Sequence, residues 1–139
     1  MKHILTLITL GLLAGNVLAK DVNWETSYDT AVEKAKKDKK LIMIDIYTDW
    51  CGWCKKLDKD TYSDKDVQAM LAKDFVALKL NPEKSSKNQK VSREFGTRGF
   101  PHIVFTDATG KKLSEIGGYV GPADFAKALD DVKKKANAK

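Results

Sequence analysis

The chain has 139 residues, of which 42% are hydrophobic and 32% are charged, enough for one domain with a hydrophobic core. It carries 25 Lys and Arg residues against 19 Asp and Glu residues, a formal net charge of +6. The lysines are scattered and usually lie beside acids, as on a solvated surface, which argues against a nucleic-acid partner because such a protein clusters its basic residues.

The first nineteen residues, "MKHILTLITLGLLAGNVLA", differ in composition from the rest of the chain. A positive start at Lys2 precedes an apolar stretch, and small or β-branched residues lead up to Ala19. This pattern predicts a secretory signal peptide over 1–19, cleaved after Ala19, and one domain over 20–139. A retained membrane anchor is the alternative, but the apolar stretch is shorter than the ~20 residues that a spanning helix needs. We therefore expect a periplasmic or secreted protein.

The first half of the mature chain predicts a helix, a buried strand and two more helices. The near-continuous apolar run "KLIMIDIYT", 40–48, is typical of a strand buried on both faces. A helix is predicted over "CGWCKKLDKDTY", and Ser63 with Asp66 resembles a capping box that opens the next helix. The helix predicted over 27–39 has four residues on one stripe: Tyr28, Ala31, Val32 and Ala35.

The second half predicts a strand over 75–81 and a polar helix over 83–95. Two short strands follow, around a turn at 107–110. Gly121 and Pro122 open the last helix, with proline at the first helical position. This order of elements predicts an α/β domain with a central sheet covered by helices on both faces.

Both cysteines of the chain lie in "DWCGWCK", 49–55. A bridge across two residues removes little loop entropy from the unfolded chain, so stapling is a poor reason for the pair. Helical residues three apart share one face, which is compatible with the Cα separation of about 4.4–6.8 Å in a disulfide. We expect Cys51 to lie exposed at the helix N-terminus, where unpaired N–H groups and the helix dipole favour a thiolate and lower its pKa. Cys51 would then attack or be attacked, and the deeper Cys54 would resolve the mixed disulfide.

Other uses of two cysteines fit the sequence less well. A c-type haem needs a histidine directly after the second cysteine, where this chain has Lys55. Structural zinc takes four Cys or His ligands as a rule, and the mature chain offers only two cysteines and His102. A two-coordinate Cu(I) site stays open as an alternative. We expect a redox-active disulfide between Cys51 and Cys54, with no metal and no other cofactor.

The segment "IDIYTDWCGWCKKLDKDTYSDKDVQ" resembles the thioredoxin superfamily, and most closely the catalytic domain of the periplasmic Dsb-type disulfide reductases. The similarity continues through "FVALKLN", "FGTRGFPHIVFTDATGK" and "GGYVGPADFAKAL", and so covers essentially the whole mature chain. The resemblance implies a thioredoxin fold with a central mixed β-sheet.

Three further site residues follow from the resemblance. Asp45 lies inside the apolar strand, where a buried carboxylate is costly to ionise and has a raised pKa. The family implies that Asp45 moves protons for the buried cysteine and that Lys79 pairs with it; a solvent-reaching Asp45 and a plain surface Lys79 are the alternatives. The family also implies that Pro101 is cis and faces the cysteines, so that the backbone of Phe100 can pair with an extended substrate strand.

The chain departs from the thioredoxin pattern around the cysteines. Gly52 and Trp53 stand between the cysteines, where thioredoxins have Gly-Pro, and Phe100 before the proline is bulkier than usual. His102 follows the proline, and either tunes the thiolate or points away along its strand. We expect Trp50 and Trp53 to form an apolar rim, with Gly52 between them, that grips a peptide; a packing role is the alternative for Trp50.

These observations predict a monomeric thiol:disulfide oxidoreductase of the cell envelope that acts on protein partners, mostly as a reductant. Because an oxidising compartment has no reductant pool, its electrons would come from a membrane protein. The potentials of such dithiols span about −270 to −120 mV, so a disulfide oxidant or isomerase is an alternative. A Cu(I) metallochaperone and a non-catalytic peptide-binding domain are the others.

Overall fold

The computed structural model describes residues 21–138, so the predicted signal peptide over 1–19 lies outside the described residues. Within 21–138, no helix is both long enough and apolar enough to cross a membrane. Along the chain the elements are β1 (Trp24–Glu25), α1 (Tyr28–Asp38), β2 (Leu41–Ile46), α2 (Gly52–Asp60), α3 (Lys65–Asp74), β3 (Phe75–Leu80), α4 (Ser86–Glu94), β4 (His102–Thr106), β5 (Lys112–Gly117) and α5 (Pro122–Asn137).

The strands form one mixed sheet in the order β1-β3-β2-β4-β5. β1 and β2 both run parallel to β3, whereas β4 pairs antiparallel with β2 and with β5. The predicted fold class, a central mixed sheet with helices on both faces, is confirmed. The sequence missed β1, because two residues are too few to show the alternation that indicates a strand.

Alternation along β2 divides the core into two layers. Ile42, Ile44 and Ile46 pack with residues of α1 and α4 on one face of the sheet. Met43 packs with residues of α2, α3 and α5 on the other face. Asp45 alternates in step with Met43, so it lies on the face that α2 covers, below the helix that carries the cysteines.

The sheet topology brings the two candidate active-site segments to one edge. The parallel strands β2 and β3 end together, and the Tyr47 N–H donates to the Leu80 carbonyl just beyond both ends (3.1 Å). β4 is antiparallel to β2, and its first residue, His102, pairs with Ile46 at the end of β2. The loop that contains Pro101 therefore meets the segment that leads into α2.

The predicted capping box at Ser63 is wrong by one residue. The N-cap of α3 is Asp64, whose Oδ1 accepts hydrogen bonds from the N–H groups of Asp66 and Val67, both at 3.0 Å. Ser63 turns the other way, and its hydroxyl donates to the carbonyl of Lys59 near the end of α2. A carboxylate at the N-cap also complements the helix dipole, so it is the stronger of the two candidate caps.

This correction makes a testable prediction about stability. Replacing Asp64 with Ala should lower the free energy of unfolding by about 1 kcal/mol, because two N–H groups lose their acceptor. Ser63→Ala is the matched control and should change it by less than about 0.5 kcal/mol, since Ser63 is exposed. Urea unfolding of the oxidised protein measures both, and a larger loss at Ser63 than at Asp64 would contradict the assignment.

Candidate functional site

Cys51 and Cys54 form a disulfide at the N-terminus of α2, with their Cα atoms 5.3 Å apart. Cys51 is the N-cap of the helix, and its Sγ accepts a hydrogen bond from the backbone N–H of Cys54 (3.1 Å). The first turn of α2 contains no acidic residue. The predicted placement of Cys51 at a helix N-terminus is confirmed, and the N–H groups there favour negative charge on its sulfur.

The expectation that Cys51 is exposed is wrong for this disulfide form. Cys51 is only 5% exposed and Cys54 only 2% exposed, so both are buried. The sulfur of Cys51 is bonded to Cys54 and lies over the first turn of the helix, where it receives the Cys54 N–H. The same geometry that prepares this sulfur for negative charge therefore turns it away from solvent.

Two tryptophans stand beside the disulfide and are highly exposed. Trp50 is 68% exposed and Trp53 is 60% exposed. The rings of Trp50 and Phe100 are perpendicular, with 5.9 Å between their centroids, and the Nε1–H of Trp50 donates to Glu83 (2.8 Å). The predicted apolar rim is present, with the exposed Gly52 between the cysteines, and a buried packing role for Trp50 does not fit.

The Phe100–Pro101 peptide bond is cis, as the resemblance implied. The carbonyl of Pro101 accepts a hydrogen bond from the N–H of Gly118 (2.8 Å), which ties this loop to the loop between β5 and α5. A cleft of about 410 Å³ adjoins the cis-proline loop, lined in part by Arg98 and Phe100. Phe100 itself is half-buried and contacts Trp50, so it belongs to the apolar surface beside the disulfide.

His102 is buried, and both of its ring nitrogens are engaged. Nε2 lies 2.7 Å from Glu115, and Nδ1 lies 2.9 Å from the hydroxyl of Thr97. In β4, His102 alternates in step with Val104, which packs in the layer of α1 and α4. The side chain thus lies on the sheet face opposite to Asp45, and the structure matches the alternative in which His102 points away along its strand.

Asp45 is fully buried and lies against Lys79, whose Nζ is 2.7 Å from Oδ2. Neither carboxylate oxygen of Asp45 has a partner with hydrogen-bond geometry among the described residues. Lys79 also contacts Asp58 of α2, with 2.5 Å between Nζ and Oδ1. A solvent-reaching Asp45 and a plain surface Lys79 are therefore both excluded by the geometry.

Aromatic rings surround the ammonium group of Lys79. Its Nζ lies 4.6 Å from the ring centroid of Tyr47, 5.0 Å from that of Trp24 and 5.4 Å from that of Tyr62. Contacts of this kind stabilise a cation most when it is removed from water. The rings therefore help to keep Lys79 charged beside Asp45.

Burial raises the pKa of Asp45, and the nearby Lys79 only partly offsets this effect. Burial lowers the pKa of Lys79, but the carboxylates of Asp45 and Asp58 outweigh it, so the net pKa is raised. Burial followed by the charge of Asp45 raises the pKa of Tyr62 well above its ordinary value. Asp45 is thus the carboxyl group of this cluster that can hold a proton and release it.

The sequence interpretation missed Asp58. It lies four residues after Cys54, and helical residues four apart share a face, so α2 places both on the side that faces Lys79 and Asp45. That spacing was readable from the sequence. The contact of Lys79 with Tyr62 was not, because it joins β3 to the turn before α3.

Residues 28–133 match the family model of the thioredoxin-like domain. The chain belongs to this family. It is 32% identical over 115 residues to the thiol:disulfide interchange protein DsbD of Photorhabdus laumondii subsp. laumondii, in an alignment that covers 81% of this chain and 19% of that protein. It is 33% identical over 111 residues to the disulfide bond reductase DsbH of Chlamydia pneumoniae, covering 73% of this chain and 66% of that protein. The chain therefore spans about a fifth of the DsbD relative.

Solved structures agree on the fold. A DsbH oxidoreductase superposes with a TM-score of 0.76 at 24% identity, covering 96% of this chain and 95% of that one. The oxidised C-terminal domain of Neisseria meningitidis DsbD superposes with a TM-score of 0.65 at 20% identity, covering 78% and 98%. The resemblance to Dsb-type thioredoxin-like domains is confirmed.

This thioredoxin-like domain carries the C-x-x-C disulfide of the Dsb-type thiol:disulfide oxidoreductases to which it is similar. Within 21–138, no three His, Cys, Asp or Glu side chains are grouped so that they could hold a metal ion. In the disulfide form the two sulfurs are bonded to each other, so a Cu(I) site would require the reduced pair. The arrangement contains the C-x-x-C disulfide that thiol:disulfide exchange uses.

The buried carboxylate predicts an unusual dependence of stability on pH. The native pKa of Asp45 is raised above its ordinary value of 3.8, so the native state binds the proton more tightly than the unfolded chain does. Ionised Asp45 therefore destabilises the fold, increasingly as the pH rises from about 3.8 through the native pKa. Asp45→Asn, which cannot ionise, should raise the free energy of unfolding of the oxidised protein by about 1–2 kcal/mol at pH 8.

Urea unfolding between pH 3 and pH 8 measures this effect, and the gain should vanish near pH 3. Asp58→Asn is the matched control, because it removes the other carboxylate at Lys79 from a half-exposed position and should give no such gain. A loss of stability in Asp45→Asn at pH 8 would contradict the prediction, because the ion pair with Lys79 would then outweigh the cost of burial.

Proposed function

We propose that this protein is a thiol:disulfide oxidoreductase of the cell envelope that reduces disulfides in partner proteins. The observation that carries the proposal is the disulfide at the N-cap of α2, in which Cys51 receives a backbone N–H. Similarity to a protein named disulfide bond reductase, and to thiol:disulfide interchange proteins, supports reduction as the direction.

In the proposed reaction the reduced protein begins with a thiolate at Cys51. This sulfur attacks one sulfur of the partner disulfide, and the other partner sulfur leaves as a thiolate and takes up a proton. Cys54 loses its proton and attacks the sulfur of Cys51, which breaks the mixed disulfide and releases the second partner thiol. Two electrons pass to the partner, and the Cys51–Cys54 disulfide seen in the structure is the product.

Asp45 is the proposed acceptor for the proton of Cys54. It is buried on the sheet face that α2 covers, and its raised pKa lets it take a proton in the interior. Lys79 keeps its charge beside Asp45 and favours return of that proton to solvent, because it stabilises the ionised carboxylate. Asp45 therefore acts on the resolving step and not on the first attack.

Burial of Cys51 is compatible with attack at its sulfur. Exchange proceeds by an approach in line with the bond that breaks, so a partner sulfur needs access to one side of Cys51 only. The exposed rings of Trp50 and Trp53 flank this residue in the chain and offer apolar area to the partner segment.

The proposal requires a source of electrons. The oxidised pair must be reduced by the dithiol of another protein, which takes the role of the membrane donor expected from the sequence. Export after cleavage at Ala19 belongs to the same proposal. So does action as a monomer, since the surface beside the disulfide must be free to meet partners.

A trapping experiment tests the function. Cys54→Ser keeps the attacking sulfur but cannot resolve the mixed disulfide, so expression in the native host should accumulate covalent adducts on Cys51 that dithiothreitol releases. Cys51→Ser is the matched control and should give adducts at least about tenfold less abundant, since the thiolate at the helix N-terminus is the reactive one. Non-reducing electrophoresis followed by mass spectrometry identifies what is bound.

The direction of transfer is tested by the reduction potential. A reductant should have a potential toward the thioredoxin end of the range, about −270 mV, and its dithiol form should reduce the disulfides of insulin. A potential near −120 mV without insulin reduction would show an oxidant instead.

In the trapping experiment, equal amounts of adduct on the Cys54→Ser and Cys51→Ser variants would contradict the assigned roles of the two cysteines.

A further inference from the structure

One face of α2 beside the disulfide is occupied by a side chain from a distant loop. Trp53, Lys56 and Asp60 follow one another at i, i+3 and i+7, so they form a single stripe along α2. Tyr119, in the loop between β5 and α5, lies along this stripe. Its ring is 5.7 Å from that of Trp53 at an interplanar angle of 41°.

Polar contacts hold Tyr119 in this position. Its hydroxyl donates to Oδ2 of Asp60 (3.0 Å), and the Nζ of Lys56 lies 5.3 Å from the centroid of its ring. Lys56 and Asp60 are themselves paired at 2.8 Å. Asp60 therefore holds the hydroxyl of Tyr119 and Lys56 covers the face of its ring, so that the ring has a fixed position beside Trp53.

The loop of Tyr119 is anchored on both sides. The carbonyl of Val120 accepts a hydrogen bond from the hydroxyl of Thr61 at the end of α2 (2.6 Å). The N–H of Gly118 donates to the carbonyl of Pro101 (2.8 Å). A side chain in an anchored loop loses little conformational freedom when a partner binds beside it.

These contacts connect the two exposed tryptophans through two loops. Trp50 contacts Phe100 in the cis-proline loop, and Trp53 contacts Tyr119 in the loop between β5 and α5. The hydrogen bond from Gly118 to Pro101 joins these two loops. Both tryptophans remain more than half exposed although each has an aromatic neighbour.

We propose that Tyr119 is a positioning residue: it holds Trp53 as one wall of the entrance to the disulfide, so that the protein prefers partner disulfides with an apolar side chain next to the attacked cysteine. This inference rests on the proposed function and names the substrate class of the same site. Rigid aromatic side chains with a supported ring are the residues that contribute most to protein recognition. An unsupported Trp53 would have to be ordered by each partner, at a cost in affinity.

The experiment uses two disulfide-containing peptides that differ at one position, Leu or Ser beside the attacked cysteine. The pre-reduced protein is mixed with excess peptide in a single turnover, and the maximal rate and half-saturating concentration are measured for each. Tyr119→Ala should raise the half-saturating concentration for the Leu peptide about two- to tenfold, the scale of one aromatic pair. The maximal rate and the values for the Ser peptide should stay within about twofold, since the cysteines are untouched.

Matched variants separate positioning from a general loss of structure. Tyr119→Phe keeps the ring against Trp53 and should restore the half-saturating concentration for the Leu peptide to within about twofold of the parent. Tyr28→Ala is the control: Tyr28 is another half-buried tyrosine in an aromatic pair, with Phe95 at 6.2 Å, and belongs to the other core layer. It should leave the values for both peptides unchanged.

Each of the following outcomes would overturn the inference. An unchanged half-saturating concentration for the Leu peptide in Tyr119→Ala would show that Trp53 needs no support, and an equal change for both peptides would show a structural role only. If Tyr119→Ala does not fold, Tyr119→Leu takes its place, because it also removes the ring that contacts Trp53, and no shift for the Leu peptide would count against the inference. A parent protein that reduces neither peptide refutes the proposed function and this inference with it, whereas one that reduces both alike refutes the inference alone.

Discussion

The N–H of Cys54 that points at the sulfur of Cys51 is the contact on which the site depends. It exists because β2 ends and α2 begins within a few residues, so that Cys51 serves as the N-cap of the helix. A helix N-terminus has N–H groups without acceptors, and here a sulfur takes the place of the usual side-chain oxygen. The cysteine thus completes a helix and is prepared for negative charge by one and the same arrangement.

The strand that leads to this helix also carries Asp45, a carboxylate whose negative charge is costly to bury. Asp45 is buried one alternation step after Met43, among residues that would otherwise make an apolar layer. Lys79 lies 2.7 Å from one oxygen of Asp45, but neither oxygen has a partner with hydrogen-bond geometry among residues 21–138. A structure selected for stability alone would not keep a carboxylate there. Its position below the cysteine helix is the physical reason to assign it a role in proton transfer.

The sequence predicted the features that depend on residues close together in the chain. The apolar run of β2, the spacing of the cysteines and the place of Asp45 within the strand could all be interpreted without a structure. The cis form of Pro101 required the family resemblance, because a single sequence predicts trans for most such bonds. The cap of α3 was misplaced because Ser63 and Asp64 are both good cap residues, and only the backbone decides between them.

What the sequence could not show were contacts between distant segments and the direction of individual atoms. Nothing local indicates that Tyr119 meets Trp53, which is far away along the chain. The exposure of Cys51 was predicted from its position at a helix terminus, but exposure depends on where the sulfur turns once it is bonded to Cys54. Such properties follow from the packed structure and not from the pattern.

Local features and contacts between distant segments correspond to two parts of the proposed function, the exchange of disulfides and the recognition of a partner. In the proposed function, the reactivity of Cys51 depends on the strand-to-helix junction that makes it the N-cap of α2. In the proposed function, the surface that a partner meets is formed by Trp50 and Trp53 together with the loop before β4 and the loop between β5 and α5. Loops change in sequence without disturbing the core, so the choice of partner can be altered while the chemistry stays the same. The bond between Pro101 and Gly118 joins these loops beside the disulfide, so a change in either loop can act on the same entrance.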